Sequence, residues 1–170
     1  MPPGASAFIT PLTMQALSGN PVHRELLDES AEAGMGHIEL ARWAELVLIA
    51  PASADFIARL AHGLANDLLS TLCLAATAPV YVAPAMNRAM WGAAATQHNC
   101  ALLAQHGITL LGPASGSQAC GDRGPGRMLE PQDLLAAVDA HFGGSQLAGV
   151  RVLIDAGPTR CAVSTAGTFS

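Results

Sequence analysis

The sequence predicts a doubly wound α/β fold, in which helices cover both faces of a parallel sheet. The short, unbroken apolar run LVLIAPA at 46–52 has the character of a strand that is buried on both faces, and PVYVAPAMN at 79–87 is predicted to be a second buried strand. Helical stretches separate them from each other and from a third run, ITLLGP at 108–113. This alternation implies right-handed crossovers and parallel strands. The carboxyl ends of the strands therefore meet at one edge, where ligands of open α/β sheets bind.

The composition is that of one globular domain with a substantial core. Of the 170 residues, 51% are hydrophobic and only 12% are charged. The net charge of −5, the scattered arginines and the 4% aromatic content argue against a nucleic-acid-binding surface. Because the sequence contains neither a membrane-spanning apolar stretch nor a signal peptide pattern, we expect a cytoplasmic protein without membrane association.

The sequence contains four cysteines, which are Cys73, Cys100, Cys120 and Cys161. They show no C-x-x-C pair and no regular histidine spacing, so neither a metal site nor a disulfide framework is indicated. Cys73 and Cys100 fall in predicted helices, where we expect them to pack in the core.

The N-terminal part of the chain contains two predicted helical regions. The first spans residues 8–17, with Thr10 as its N-cap, Pro11 at the first helical position and Gly19 at its end. The second spans residues 32–46. His37 lies near its start, where the ring can make acid–base or ligand contacts beyond the helix end or serve as a polar cap.

After the first strand, Ser53 is predicted to cap a helix that runs to about Leu74. A strand, a tight turn and a helix N-terminus together form an anion site, because the first N–H groups of the helix have no intrahelical partner. Gly63 and Asn66 lower the stability of this helix and mark a place where it can bend. Another helix is predicted at 88–106.

The stretch 112–130, GPASGSQACGDRGPGRMLE, has neither helical nor strand periodicity and contains five glycines. We predict a long ordered loop, which is either a lid or binding loop carrying Cys120 or a surface linker with an incidental thiol. Because it follows the third strand, it should lie at the same sheet edge as Ser53 and Asn87. A helix at 131–142 and a strand at 150–155 are predicted to follow.

Three segments carry a resemblance to a known family: HIELARWAELVLIAPASADFIARLAHGLANDLL at 37–69, APAMNRAMW at 83–91 and GSQACGDRGPGRMLEP at 116–131. Over about residues 5–143, the chain resembles the phosphopantothenoylcysteine decarboxylase half of the bifunctional coenzyme A biosynthesis flavoproteins. These are homo-oligomeric flavin-containing cysteine decarboxylases. The resemblance implies a Rossmann-like three-layer sandwich, an FMN cofactor and a homotrimer or dodecamer.

The resemblance also implies a reaction, the decarboxylation of 4′-phosphopantothenoylcysteine to 4′-phosphopantetheine, and a role for individual residues. His37 would be the active-site histidine, Asn87 would hold the substrate carboxylate, and Cys120 would be the proton donor. Met90 and Arg127 match substrate-binding positions. The positions that match flavin contacts are Ser6, Phe8, Ser53, Ala54, Asp55, Phe56 and Ala85.

These residue types suit that chemistry. A cysteine carboxylate departs as carbon dioxide only after oxidation of the thiol-bearing carbon has created an electron acceptor, which is the task of the flavin. A neutral amide at Asn87 orients the carboxylate without the ground-state stabilisation that an arginine would give. The thiol of Cys120 can then supply the proton that the product needs.

The sequence departs from the family pattern at both ends. In the family, a strand, a glycine-rich phosphate turn, a helix and a second strand precede the segment that corresponds to residues 5–11, and this sequence lacks them. We therefore expect 1–143 to be an N-terminally incomplete flavoprotein domain with weak FMN retention and poor solubility. LAGVRVLIDAGPTR at 147–160 resembles the start of the partner ligase domain. We therefore expect 144–170 to be a linker and a truncated start of that domain, without ligase activity.

Two alternatives differ from the decarboxylase interpretation. One is an inactive fragment or a regulatory binding protein that keeps the flavoprotein architecture without the reaction. The presence of His37, Asn87 and Cys120 favours an enzyme over it. The other is a flavin prenyltransferase, which the motif around Cys120 disfavours.

Overall fold

The structure, a computed structural model, describes residues 5–6, 8–24, 36–118, 121–143 and 152–155. Its strands are β1 (Leu46–Ala52), β2 (Val80–Pro84), β3 (Thr109–Leu110), β4 (Ala114–Ser117), β5 (Arg123–Arg127) and β6 (Val152–Asp155). Four of them form a parallel sheet in the order β3-β2-β1-β6. The other two, β4 and β5, pair antiparallel with each other.

Seven helices lie within the described residues: α1 (Pro11–Ser18), α2 (His37–Trp43), α3 (Ala54–Ala61), α4 (Leu68–Ala75), α5 (Arg88–Gly92), α6 (Ala94–Gln105) and α7 (Pro131–His141). None of the helices in these ranges is long and apolar enough to cross a membrane.

Side chains of β1 alternate between the two faces of the sheet. Val47 and Ile49 are buried in the main core, together with side chains from α2, α3, α4 and α6. Leu46 and Leu48 point into a second cluster, which contains Val138 of α7. Both faces of the parallel sheet are therefore covered by helices, which confirms the predicted α/β architecture. Cys73 and Cys100 lie in the main core, as predicted.

The predicted cap residues of α1 are confirmed, although the helix spans Pro11–Ser18 and not 8–17. The backbone N–H of Thr13 donates to Thr10 Oγ1 over 3.1 Å, and Pro11 is the first helical residue. Gly19 ends the helix in the left-handed conformation, with φ at 67°. Such a conformation is open to glycine because it has no Cβ. The predicted helix at 131–142 is also confirmed, since α7 begins at Pro131.

The prediction of one helix from Ser53 to Leu74 is wrong, because the structure has two helices there. The first, α3, ends at Ala61, and Gly63 follows with φ at 65°. Asp67 then starts α4 with a capping box: its carboxylate accepts from the Ser70 N–H over 2.8 Å, and its own N–H donates to Ser70 Oγ over 3.2 Å. This reciprocal cap satisfies the N–H groups of a new helix start.

The prediction of a single helix at 88–106 is wrong for a similar reason. Ala93 has an extended backbone, with ψ at 134°, and separates α5 from α6. An extended residue interrupts the hydrogen-bond ladder and leaves carbonyl groups without helical partners. The Gln97 side chain satisfies one of them by donating to the Trp91 carbonyl over 2.6 Å.

The prediction that 112–130 lacks regular structure is also wrong. The third strand is shorter than expected, and the chain beyond it forms the β4–β5 hairpin. Three glycines lie in the two strands of this hairpin, and Gly124 and Gly126 have φ of 151° and 128°. Backbone pairing does not require apolar side chains, so a strand of glycine and polar residues gives no hydrophobic alternation.

Strand β6 lies next to β1, with Leu46 opposite Val152 and Ile49 opposite Asp155. Its position confirms that a strand forms in the predicted region 150–155. In the described residues this strand forms one end of the parallel sheet.

Candidate functional site

The candidate site lies where β1 and β2 end. Beyond β2, the Ala85 N–H donates to the Ala52 carbonyl over 2.9 Å, so the two strand ends stay side by side. Ser53 follows directly and caps α3, with its Oγ accepting from the Phe56 N–H over 3.2 Å. The N–H groups of the first helical turn therefore start at the edge that the sequence predicted.

The residues matched to flavin contacts differ in how far their side chains are exposed to solvent. Ala85 is buried, and Phe56 lies in the main core with the Arg59 guanidinium 5.6 Å from its ring centroid. Phe8 is exposed. Asp55 is exposed and pairs with Arg59 over 2.9 Å.

The hydroxyl of Ser6 is buried, and no described residue forms a hydrogen bond with it. A buried hydroxyl without a partner costs free energy, so a polar ligand that bonded to it would be stabilised. The preceding residue, Ala5, is fully buried and its carbonyl accepts from the Phe8 and Ile9 N–H groups. Ser6 is thus held in an ordered turn, with an unused polar group.

The side chain of Asn87 has a defined orientation because it caps α5. Its Oδ1 accepts from the Ala89 N–H over 2.7 Å, which turns the amide nitrogen away from the helix. The Nδ2 group donates to the carboxylate of Asp122 over 3.1 Å. The Asn87 amide is therefore arranged to donate to a carboxylate oxygen.

The β4–β5 hairpin packs against the segment 85–87, which links β2 to α5. The Met86 N–H donates to the Gly126 carbonyl over 2.8 Å. A Cβ on Gly126 would lie 2.4 Å from the Met86 carbonyl oxygen, and one on Gly124 would lie 2.4 Å from Arg88 Cδ. Only glycine at these two positions permits so close an approach. The predicted proximity of Asn87 and the 112–130 region is confirmed by these contacts.

Sequence reasoning missed Gln118 and Asp122, which join the hairpin to this segment. Asp122 contacts the Asn87 amide, and Gln118 hydrogen-bonds on both sides of Asn87. The only sequence signal is their place in the Ser-x-Ala-Cys-Gly-Asp motif, where Gln118 occupies the variable position.

The remaining predicted residues are not brought together by described contacts. His37 is half-buried at the first position of α2, near a helix start as predicted, and α2 packs against α4. The predicted extension of this helix to residue 46 is wrong, because Ala44 has an extended backbone and Leu46 begins β1. Met90 is exposed, and Arg127 forms an ion pair with Glu130 over 2.6 Å. Cys120 lies outside the described residues, and the hairpin strands that flank it in sequence are described.

The chain is similar to known proteins in sequence and in fold. The family model described as flavoprotein matches residues 1–143. The coenzyme A biosynthesis bifunctional protein CoaBC of Escherichia coli (strain K12) is 59% identical over 161 residues, which are 94% of this chain and 40% of that protein. The chain therefore spans about 40% of the length of this curated relative.

Two solved structures have similar folds. One is a PPC decarboxylase cysteine-to-serine mutant complexed with pantothenoylaminoethenethiol, with a TM-score of 0.62 and 38% identity over 71% of this chain and 66% of that one. The other is the FMN-dependent cysteine decarboxylase SpaF, with a TM-score of 0.67 and 32% identity over 84% of this chain and 77% of that one.

Proposed function

The chain belongs to the flavoprotein family, and we propose that it catalyses the FMN-dependent decarboxylation of 4′-phosphopantothenoylcysteine to 4′-phosphopantetheine. Support comes from the names of its relatives, which include a coenzyme A biosynthesis protein, a PPC decarboxylase and an FMN-dependent cysteine decarboxylase. We assign the reaction to residues 1–143 and propose that 144–170 belongs to a linker and the start of a ligase domain.

The observation that carries the proposal is the orientation of the Asn87 amide. Asn87 follows the carboxyl end of β2; its oxygen is held by the Ala89 N–H, and its nitrogen donates to the Asp122 carboxylate of the hairpin. A substrate carboxylate can accept the same hydrogen bond. Because the amide is neutral, it holds this group without strongly favouring the ground state.

The described residues fit an FMN group. The buried Ser6 hydroxyl lacks a partner within the described part of the chain, and the first turn of α3 offers backbone N–H groups to an anionic or polar ligand. Ser6, Ser53, Ala54 and Ala85 would hold the cofactor, with Phe8, Asp55 and Phe56 nearby in sequence. When bound, FMN supplies two-electron oxidation and reduction at the thiol-bearing carbon of the substrate.

The other assigned residues act on the substrate. Cys120 donates the proton that the product carbon requires, and His37 is the active-site histidine. Met90 and Arg127 contact the substrate, whose phosphate suits an arginine. We further propose a homo-oligomer, either a trimer or a dodecamer. The helix α1 supports this, because it has no buried side chain and exposes Leu12 and Leu17.

The carboxylate assignment is tested by Asn87→Asp in the FMN-loaded protein. The aspartate keeps an acceptor for the Ala89 N–H but replaces the amide donor with a negative charge. We expect kcat/KM for 4′-phosphopantothenoylcysteine to fall about a hundredfold or more, measured as 4′-phosphopantetheine formed. Asn66→Asp, in the loop before α4, adds the same charge and should retain wild-type kcat/KM. Equal activity of Asn87→Asp and wild type would refute the assignment.

The proton-donor assignment is tested by Cys120→Ser. A hydroxyl is a much weaker acid than a thiol, so the variant should still release carbon dioxide but accumulate the oxidised enethiol product. Mass spectrometry distinguishes this product from 4′-phosphopantetheine, which carries two more hydrogens. Formation of normal product at the wild-type rate would exclude Cys120 as the donor. If the wild-type protein released no carbon dioxide, the regulatory alternative would replace the enzyme proposal.

A further inference from the structure

Among the described residues the Gln118 carboxamide makes three hydrogen bonds, two of which connect the hairpin with the segment 85–87 and the start of α5. Its Oε1 accepts from the Arg88 N–H over 2.9 Å. Its Nε2 donates to the Pro125 carbonyl over 3.2 Å and to the Met86 carbonyl over 3.4 Å. Both ends of the carboxamide are thus used, and at neutral pH no other side chain of this length supplies a donor and an acceptor together.

The Gln118 side chain forms hydrogen bonds with the residues immediately before and after Asn87. Met86 and Arg88 are its two neighbours, and each gives one backbone group to the Gln118 side chain. The backbone of Asn87 is consequently fixed from both sides. Because Asn87 reaches its substrate through a short side chain, a shift of this backbone displaces the amide directly.

The hairpin is shaped to present Gln118 at this place. The Gln118 N–H donates to the Asp122 carbonyl over 2.8 Å, and the Gly121 N–H donates to the Gln118 carbonyl over 2.9 Å. On the opposite strand, a Cβ at Gly126 would lie 2.8 Å from Gln118 Nε2. The glycine therefore leaves the space that the carboxamide occupies.

We propose that Gln118 is a positioning residue that holds the Asn87 amide in the orientation needed for the substrate carboxylate. The inference rests on the proposed function, because it takes Asn87 as the carboxylate-binding group. Gln118 itself acts through the backbone of Met86 and Arg88.

Two substitutions of Gln118 distinguish the contribution of its acceptor oxygen from that of its donor nitrogen. Gln118→Ala removes all three. Gln118→Glu keeps the acceptor for Arg88 but, when ionised, has no donor for the Met86 and Pro125 carbonyls; protonation at low pH restores one donor. We expect kcat/KM for 4′-phosphopantothenoylcysteine to fall about ten- to a hundredfold in both variants at pH 8. The ratio of the variant's kcat/KM to the wild-type kcat/KM at the same pH should rise for Gln118→Glu as the pH falls. The same ratio should stay low for Gln118→Ala at every pH.

Gln132→Glu is the matched control, because it adds the same charge on the exposed surface of α7 and should follow the wild-type pH profile. A merely structural role would lower thermal stability without this pH-dependent recovery. Wild-type kcat/KM in both Gln118 variants, or a flat ratio for Gln118→Glu, would overturn the inference.

Hydrogen exchange of the peptide that contains Arg88 provides a readout that does not depend on activity. Exchange should accelerate in Gln118→Ala and remain slow in Gln118→Glu, which keeps the acceptor. If the wild-type protein failed to decarboxylate the substrate, the proposed function would fail, and this exchange pattern would still decide whether Gln118 holds the segment. Unchanged exchange in Gln118→Ala would contradict the inference.

Discussion

Gly126 shows how a single residue determines the approach of two backbone segments. Its φ of 128° favours glycine, and a Cβ there would lie 2.4 Å from the Met86 carbonyl oxygen. A side chain would therefore add steric overlap to backbone strain. The same oxygen accepts a hydrogen bond from Gln118, so a displacement would reach Asn87.

Gly126→Ala is expected to destabilise the protein by about 2–4 kcal/mol, the sum of strain and overlap. Gly107→Ala is the control, because Gly107 has φ at 79° but nothing within 4 Å of its Cβ position. It should cost about 1–2 kcal/mol from backbone strain alone. Urea unfolding of both variants measures the difference, and equal losses would show that the close approach contributes nothing.

At this scale, the sequence predicted the residues with recognisable motif chemistry but not those that position them. Asn87 stands in a Pro-Ala-Met-Asn motif and Ser53 directly follows a strand, so each has a local signal. Gln118 contacts Arg88, 30 residues away in the chain. Such a contact depends on how the hairpin folds back, which no local pattern contains.

At the scale of elements, the start of α4 depends on a charged cap. Asp67 accepts from Ser70 and pairs with the Arg59 guanidinium. Burial raises the pKa of Asp67, but the hydrogen bonds from Ser70 and the Arg59 interactions outweigh this effect and hold it below the ordinary value of 3.8. The ionised cap thus stabilises the folded state above this pH, and its contribution is lost as pH falls through the lowered pKa.

Asp67→Asn should remove that charge and keep an acceptor for the cap. We expect a loss of about 0.5–1 kcal/mol at pH 7, which disappears as the pH falls through the lowered pKa of Asp67 because the wild-type carboxyl becomes protonated there. Denaturant unfolding at several pH values measures it. Asp133→Asn, on the exposed side of α7, should show no comparable pH dependence. A difference between Asp67→Asn and wild type that persisted at low pH would contradict this explanation.

Helix limits with a proline, threonine or glycine signal were predictable, as in α1 and α7. The break between α3 and α4 was not predictable from Gly63 alone, because one glycine can also bend a continuous helix. The new helix start depends on the reciprocal cap of Asp67 and Ser70, which the sequence pattern did not reveal. The hairpin was not predicted for a different reason, because its glycines adopt conformations that ordinary strand propensities do not describe.

At the scale of the whole molecule, β6 connects the C-terminal part of the described chain with the central core. Leu153 packs against the main core, and Val152 contacts the second cluster on the other face. Its neighbour β1 is buried on both faces. The pairing of β6 with β1 therefore adds buried apolar contacts to the backbone hydrogen bonds.

Leu153→Asp should destabilise the fold by about 2–4 kcal/mol, because it places a carboxylate among apolar side chains. Ile154→Asp introduces the same residue at a side chain that is 56% exposed and should cost less. Thermal unfolding of the two variants compares them. Equal melting temperatures for Leu153→Asp and wild type would show that β6 contributes little to the sheet.

The α/β class and its parallel sheet were predictable, because apolar runs and helices alternate along the chain. The neighbour of each strand was not fully predictable: periodicity identifies 150–155 as a strand but does not say that it lies beside β1. The assignment of 144–170 to a separate domain stays a prediction.

The sheet described here ends on one side in β3, a strand of only two residues. A foreign extended chain that docks along this border finds few backbone groups to pair with. Short borders of this kind discourage intermolecular strand addition and the aggregates that grow from it.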